Sequence, residues 1–158
     1  MKLAKPTRRL LKLSPKNFIL NHLVPFILRD AGNGFAMETW ITMADTDDAF
    51  CGLDGIEDRR APACKSVSCV GGSIQVLTGL NCGGVEPRKA AKLLGITAEQ
   101  AHGLFYDWEP GEGGWPSKHA ERFYAADTPL KKARVTCSLL KQIAKKGSKA
   151  LPQYDGDE

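Results

Sequence analysis

The side chains of this chain that could carry chemistry are five cysteines, three histidines and two concentrations of lysine and arginine. Cys64 and Cys69 stand five positions apart in "PACKSVSCVGGSIQVLTG" (62–79), with Cys51 and Cys82 to either side and Cys137 far along the chain. A structural zinc ion takes thiolate or imidazole ligands, commonly in pairs with two to four residues between them. By residue type, Cys51, Cys64, Cys69 and Cys82 make a candidate metal-ligand set. Only Cys64 and Cys69, with four residues between them, have a paired spacing, and His22, His102 and His119 are remote from all of them in sequence. The spacing favours the plainer alternative, in which Cys69 and Cys137 are small core residues on apolar helix faces. No cofactor is expected.

The other motifs are weaker. The pair Gly71–Gly72 is not a phosphate loop, because the lysine of G-x-x-x-x-G-K-[ST] is absent. Val67, Val70, Ile74 and Leu77 instead recur at helical spacing, so the run reads as a helix over about 65–78. Its glycines would let a neighbouring segment pass close by. "DTDDAFCGLDGIED" aligns Asp45 and Asp47 with the first ligands of an EF-hand. Ala49, Phe50 and Ile56 then fall where a ligand, the turn glycine and the closing glutamate are needed, which excludes that site. "RKAAKLLGITAEQAHGLF" outlines a helix-turn-helix around Gly95. Its second helix would expose Ala98, Glu99, Gln100 and His102, with no lysine or arginine to read DNA, so it predicts a helical corner. There is no G-x-S-x-G elbow, no H-E-x-x-H and no evident Cys–His pairing, and no catalytic residue is assigned.

Charge is the more informative feature. The formal net charge is only +4, but it is unevenly spread. Seven basic residues and no acid lie between Met1 and Arg29, and seven more with no acid between Pro129 and Lys149. Six acids and no base lie between Asp45 and Asp58. Such segregation points to an anionic partner, or to the two ends facing the acidic segment. On the last helix Lys131, Arg134, Lys141 and Lys145 share one face, and with Arg8 and Arg9 of the N-terminal arm they form a candidate phosphate-binding set. Trp108 and Trp115 flank a glycine- and proline-rich loop, "DWEPGEGGWP". Aromatics in such a loop either anchor it or present a patch to a protein, and these two count as candidate partner contacts.

The elements that must position these residues are helical. The expected fold is mainly α: a small irregular helical bundle with two long loops, at residues 45–63 and 107–116. A length of 158 residues, with 42% hydrophobic and 25% charged residues, suits one globular domain. Residues 1–13 read as a loosely ordered basic arm, 14–147 as one helical domain and 148–158 as a flexible tail. Ser14–Pro15 starts a helix that Pro25 kinks or interrupts. "FAMETWITM" reads as an extended piece or a helical turn, the helical turn being favoured. A short helix over 86–94 ends at Gly95, and Thr97 with Gln100 forms a capping box for a helix to about Tyr106. A short helix near His119–Ala125 precedes the last one, which starts at Thr128–Pro129 and stops at Gly147. The basic N-terminus lacks the continuous apolar segment of a secretory signal, and no apolar run reaches membrane-span length. With an odd number of cysteines, this leads to the expectation of a cytoplasmic protein with reduced thiols.

Four segments, "FAMETW" (35–40), "CKSVSCVGG" (64–72), "LGITAEQAHGLF" (94–105) and "GGWP" (113–116), resemble a family of short phage and bacterial proteins. That family combines F-x-M-x-x-W, C-G-T-x-x-C-[IV]-x-G and L-G-[LI]-T-x-x-Q-A-x-x-L-F with a tryptophan–proline loop. Lys65-Ser66 stand where the family has Gly-Thr. The resemblance implies a phage- or prophage-type accessory protein and brings no reaction or catalytic residues with it. The expected function is therefore non-catalytic binding of a macromolecule, either a protein or a nucleic acid.

Overall fold

The computed structural model describes residues 5–30, 41–43, 66–79 and 88–154. The expected loop over 45–63 lies outside them, as do Cys51, Cys64 and Cys82. The described part is mainly α-helical, as the sequence predicts.

The chain opens with helix α1 (Lys5–Leu10), so the expected loose arm is folded from Lys5 onward. Two main-chain bonds turn it back, Lys12 N–H to Arg9 O and Leu13 N–H to Leu10 O, and Leu11 and Leu13 pack against the core. Apolar side chains at alternate positions of a turn give it a face to bury, which explains the order. Ser14 caps α2 (Pro15–Phe18) by accepting from Asn17 N–H at 3.3 Å, with Pro15 in the first turn. A π-helical turn (Ile19–Leu23) then leads into α3 (Val24–Asp30). Pro25 explains the wide turn. Its ring would collide with the carbonyl of Asn21 in a regular α-helix, and it has no N–H to give. Val24 N–H reaches back to Ile19 O instead, so the helix axis continues through a widened turn where the sequence predicts a kink or break.

Two expected helical pieces are extended. Strand β1 (Ile41–Met43) pairs antiparallel with β2 (Ser66–Ser68), with Thr42 opposite Val67. β-branched Thr42 and Val67 suit a strand, and serines at 66 and 68 have little helix propensity. Helix α4 (Val70–Thr78) therefore starts later than its periodicity suggests, with Cys69 as its cap: the thiol sulfur accepts from Gly72 N–H at 3.3 Å. Gly71 and Gly72 sit in the first turn of a helix buried on nearly every side. Its buried hydroxyls are satisfied locally, Ser73 Oγ donating to Cys69 O at 2.8 Å and Thr78 Oγ1 to Ile74 O at 2.6 Å.

Helices α5 (Arg88–Leu94) and α6 (Ala98–Tyr106) form the predicted corner. Gly95 has φ +72° and donates to Lys92 O, while Ile96 N–H reaches Ala91 O, a Schellman closure. The capping box is present in both directions, each bond 3.1 Å long. Helix α7 (Ser117–Ala125) follows the glycine-rich loop, and α8 (Pro129–Lys146) runs into a 3₁₀ turn (Gly147–Ala150). As the longest described element, α8 organises the bundle by packing on α2, the π turn, α3, α7 and the 3₁₀ turn. Ala133, Thr136, Cys137, Leu139, Leu140 and Ile143 form its buried seam, whereas Leu130 at its start is exposed. Phe18, Phe105 and Phe123 are the largest fully buried side chains of the described core, which also holds Trp108 and Trp115.

The expected flexible tail is corrected for residues 148–154. The buried amide of Gln100 donates to Ser148 O at 2.9 Å and to Pro152 O at 3.2 Å, and Leu151 is buried. The capping-box glutamine thus has a second task, fastening the C-terminal segment to α6.

Candidate functional site

The glycine- and proline-rich loop can be judged first. Trp108 and Trp115 are only 8% and 3% exposed, and both set an edge against Phe123, with centroids 5.4 and 5.2 Å away. The Trp115 indole N–H donates to Leu104 O at 2.8 Å. Gly114 N–H donates to Asp107 O at 3.1 Å, and a Cβ at Gly114 would run into the carbonyls of Gly103 and Asp107. The two tryptophans anchor the loop in the core, which corrects their expected place on a partner-binding patch. Rings buried this deeply have little face left to present, and at Trp115 the polar atom is satisfied internally as well. Tyr106 remains exposed beside the loop, its ring 4.8 Å from that of His102.

Of the four candidate metal ligands, only Cys69 is among the described residues, buried as the cap of α4. Cys137 is also buried, with its sulfur 3.9 Å from Val24 O. Burial pushes its thiol up to about 12, against the opposing pull of the Lys141 charge. Among the described residues, no group of three or more histidine, cysteine or acidic side chains could hold a metal ion.

The basic side chains fare differently. Lys131, Arg134, Lys141 and Lys145 are all exposed, and steps of three, seven and four residues keep them on one face of α8. Lys131 is paired with Asp127 at 2.8 Å, and this contact holds the Asp127 carboxyl below its ordinary value. Among the described residues, Arg134, Lys141 and Lys145 have no carboxylate partner. Lys132 is turned to the bundle, its ammonium 4.6 Å from the Phe123 ring centroid and donating to Phe123 O at 3.2 Å. Arg8 and Arg9 are exposed in the last turn of α1.

The structure adds a feature that sequence reasoning missed. The turn after α1 and the start of α2 face α5 across a cleft of about 400 Å³. Leu11, Leu13, Pro15 and Leu93 supply its apolar surface, and Lys12, Lys89 and Lys92 its charge. Among the described residues, no acidic side chain lines it. Pro15 packs so closely on the corner that a Cβ at Gly95 would lie 3.1 Å from its ring. A Cβ at Gly147 would lie 3.7 Å from Gly95 O, which brings the end of α8 to the same corner. The sequence signal was "RKAAK" (88–92), basic at exposed positions, but its meaning depends on a fold-back joining residues about 75 apart.

Comparison of the chain with family models, curated proteins and solved structures found no match. Among the described residues, no helix is long and apolar enough to cross a membrane.

Proposed function

We propose that this protein is a non-catalytic accessory protein that binds nucleic acid by its phosphates, through Arg134, Lys141 and Lys145 of α8 with Arg8 and Arg9. The observation that supports this most is the row on α8: cations on one face, exposed, with no described carboxylate to neutralise them. A row of this kind follows a phosphate backbone, and its contacts release counterions from the polymer. The contacts position the nucleic acid without reading its sequence. Helix α6 lacks a basic side chain at its start, and Gln100, the amide that would meet a base edge, is buried against Ser148 O. The resemblance in residues 35–116 supports the phage- or prophage-type part of the reading.

The test is fluorescence anisotropy with labelled duplex and single-stranded oligonucleotides of two unrelated sequences. The wild type should bind both sequences alike, and the variant Arg134→Ala/Lys141→Ala/Lys145→Ala should bind each of them about tenfold more weakly or worse. Equal binding by variant and wild type would remove α8 from the interface.

A further inference from the structure

The cleft between the α1–α2 turn and α5 does not fit the partner proposed for α8. A strand of nucleic acid held in a groove uses aromatic or guanidinium planes on which bases stack. Among the described residues this cleft has neither, being lined by three leucines, one proline and three lysines. A membrane surface would be met by a convex apolar face, and this one is concave.

Its own composition is specific. Leu11, Leu13, Pro15 and Leu93 give an apolar floor, with Leu93 only 5% exposed. Lys12 comes from one wall, and Lys89 and Lys92 from the other. Lys89 and Lys92 are three apart on α5 and both exposed, so their ammonium groups repel one another across one helix face. Such a like-charge pair destabilises the free helix slightly and is relieved when an anion arrives. Three cations on two walls accommodate more than one carboxylate, which a single fatty-acid headgroup does not supply. The apolar floor beneath them asks for aliphatic side chains between those carboxylates.

We propose that this cleft docks an acidic, leucine-bearing segment of a protein partner. The occupant is fixed by charge complementarity to Lys12, Lys89 and Lys92 together with apolar contact to the four floor residues. None of the residues that line the cleft belongs to the row on α8, so the two sets can be substituted independently, and a molecule holding a nucleic acid by one and a protein by the other would act as a tether.

The test uses fluorescence polarisation of the full-length protein with a labelled synthetic peptide in which aspartate and glutamate alternate with leucine. A second peptide has every leucine replaced by glycine and all acids kept. The first peptide should bind, and the second about tenfold more weakly, the loss of one or two buried leucine contacts. The variant Lys12→Ala/Lys89→Ala/Lys92→Ala should bind the first peptide about tenfold more weakly than wild type. Its circular dichroism should be unchanged and its melting temperature equal or higher, because a repulsion has been removed. The row variant of α8 should bind the peptide as wild type does, so failure of the nucleic-acid reading leaves this result untouched. Equal binding of both peptides would overturn the proposal, since charge alone would then suffice. It would equally be overturned by wild-type affinity in the lysine variant, or by displacement of the peptide with an oligonucleotide.

Discussion

The indole N–H of Trp115 donates to the main-chain carbonyl of Leu104 at 2.8 Å, tying the loop after α6 to the last turn of that helix. Carbonyls of a last helical turn have no donor within the helix, and this one is buried. Trp115→Phe keeps a ring against Phe123 and deletes the donor, so it should cost about 1–3 kcal/mol in urea denaturation. Trp115→Ala removes the ring as well and should cost about 3–5 kcal/mol. Oligonucleotide affinity of the folded Trp115→Phe protein should equal that of wild type, because the indole is not a contact residue. A lowered affinity without loss of structure would restore Trp115 to the interface.

Two glycines of the same loop should differ for separate reasons. Gly111 has φ +91° with nothing within 4 Å of a Cβ, so Gly111→Ala meets backbone strain alone, about 1–2 kcal/mol. At Gly114 the added carbon would collide with two backbone carbonyls, and the loop would have to lift from α6, taking Trp115 with it. Gly114→Ala should cost at least about 3 kcal/mol by the same denaturation measurement. Equal costs at the two positions would mean that the loop does not pack as described.

Gln100 links the start of α6 to the C-terminal segment. Its side-chain oxygen accepts from Thr97 N–H, and its amide donates to Ser148 O and Pro152 O. Gln100→Ala leaves all three groups without that partner and should cost about 2–3 kcal/mol. Hydrogen exchange should accelerate over residues 148–154 more than in α3. A uniform change along the chain would show that the clasp is not a local fastening.

How legible this was in the sequence depended on the range of the interaction. Ser14, Thr97 and Thr128 cap helices as their local pattern predicts, because a cap is decided within three residues. Strand β2 was missed, and the segment of β1 was left between two readings, because the strands are three residues each and stand more than twenty residues apart. Periodicity needs a longer window, and pairing is settled by contacts between distant segments. The tryptophans were legible as either a loop anchor or a partner patch, and the choice waited on the fold, since composition does not say which way a loop turns. Lys89 and Lys92 joined a site only when Pro15 met Gly95, a contact with no local signature.

His119 gives the fold a pH dependence of known sign. Burial, and secondarily the Arg122 charge, lowers its pKa below the ordinary 6.5, and its Nδ1 is buried with no hydrogen-bond partner. The unfolded chain therefore binds more protons than the folded one in the window below 6.5. The stability that depends on a neutral His119 is fully present above that value and is lost as pH falls through it towards the folded pKa. Replacing His119 with Gln should flatten the denaturation midpoint against pH over this range. An identical profile in both proteins would place the dependence elsewhere.

The central claim is that the row on α8 meets phosphates, and the salt dependence of oligonucleotide affinity tests it most directly. For a duplex, each phosphate contact contributes about 0.9 to the slope of log affinity against log salt. The Arg134→Ala/Lys141→Ala/Lys145→Ala protein should therefore show a slope shallower by roughly 2–3. Asp127→Asn, which releases Lys131 from its ion pair, should steepen the slope by up to about 1. A slope unchanged by the triple substitution, or no binding at about 50 mM salt, would contradict the account.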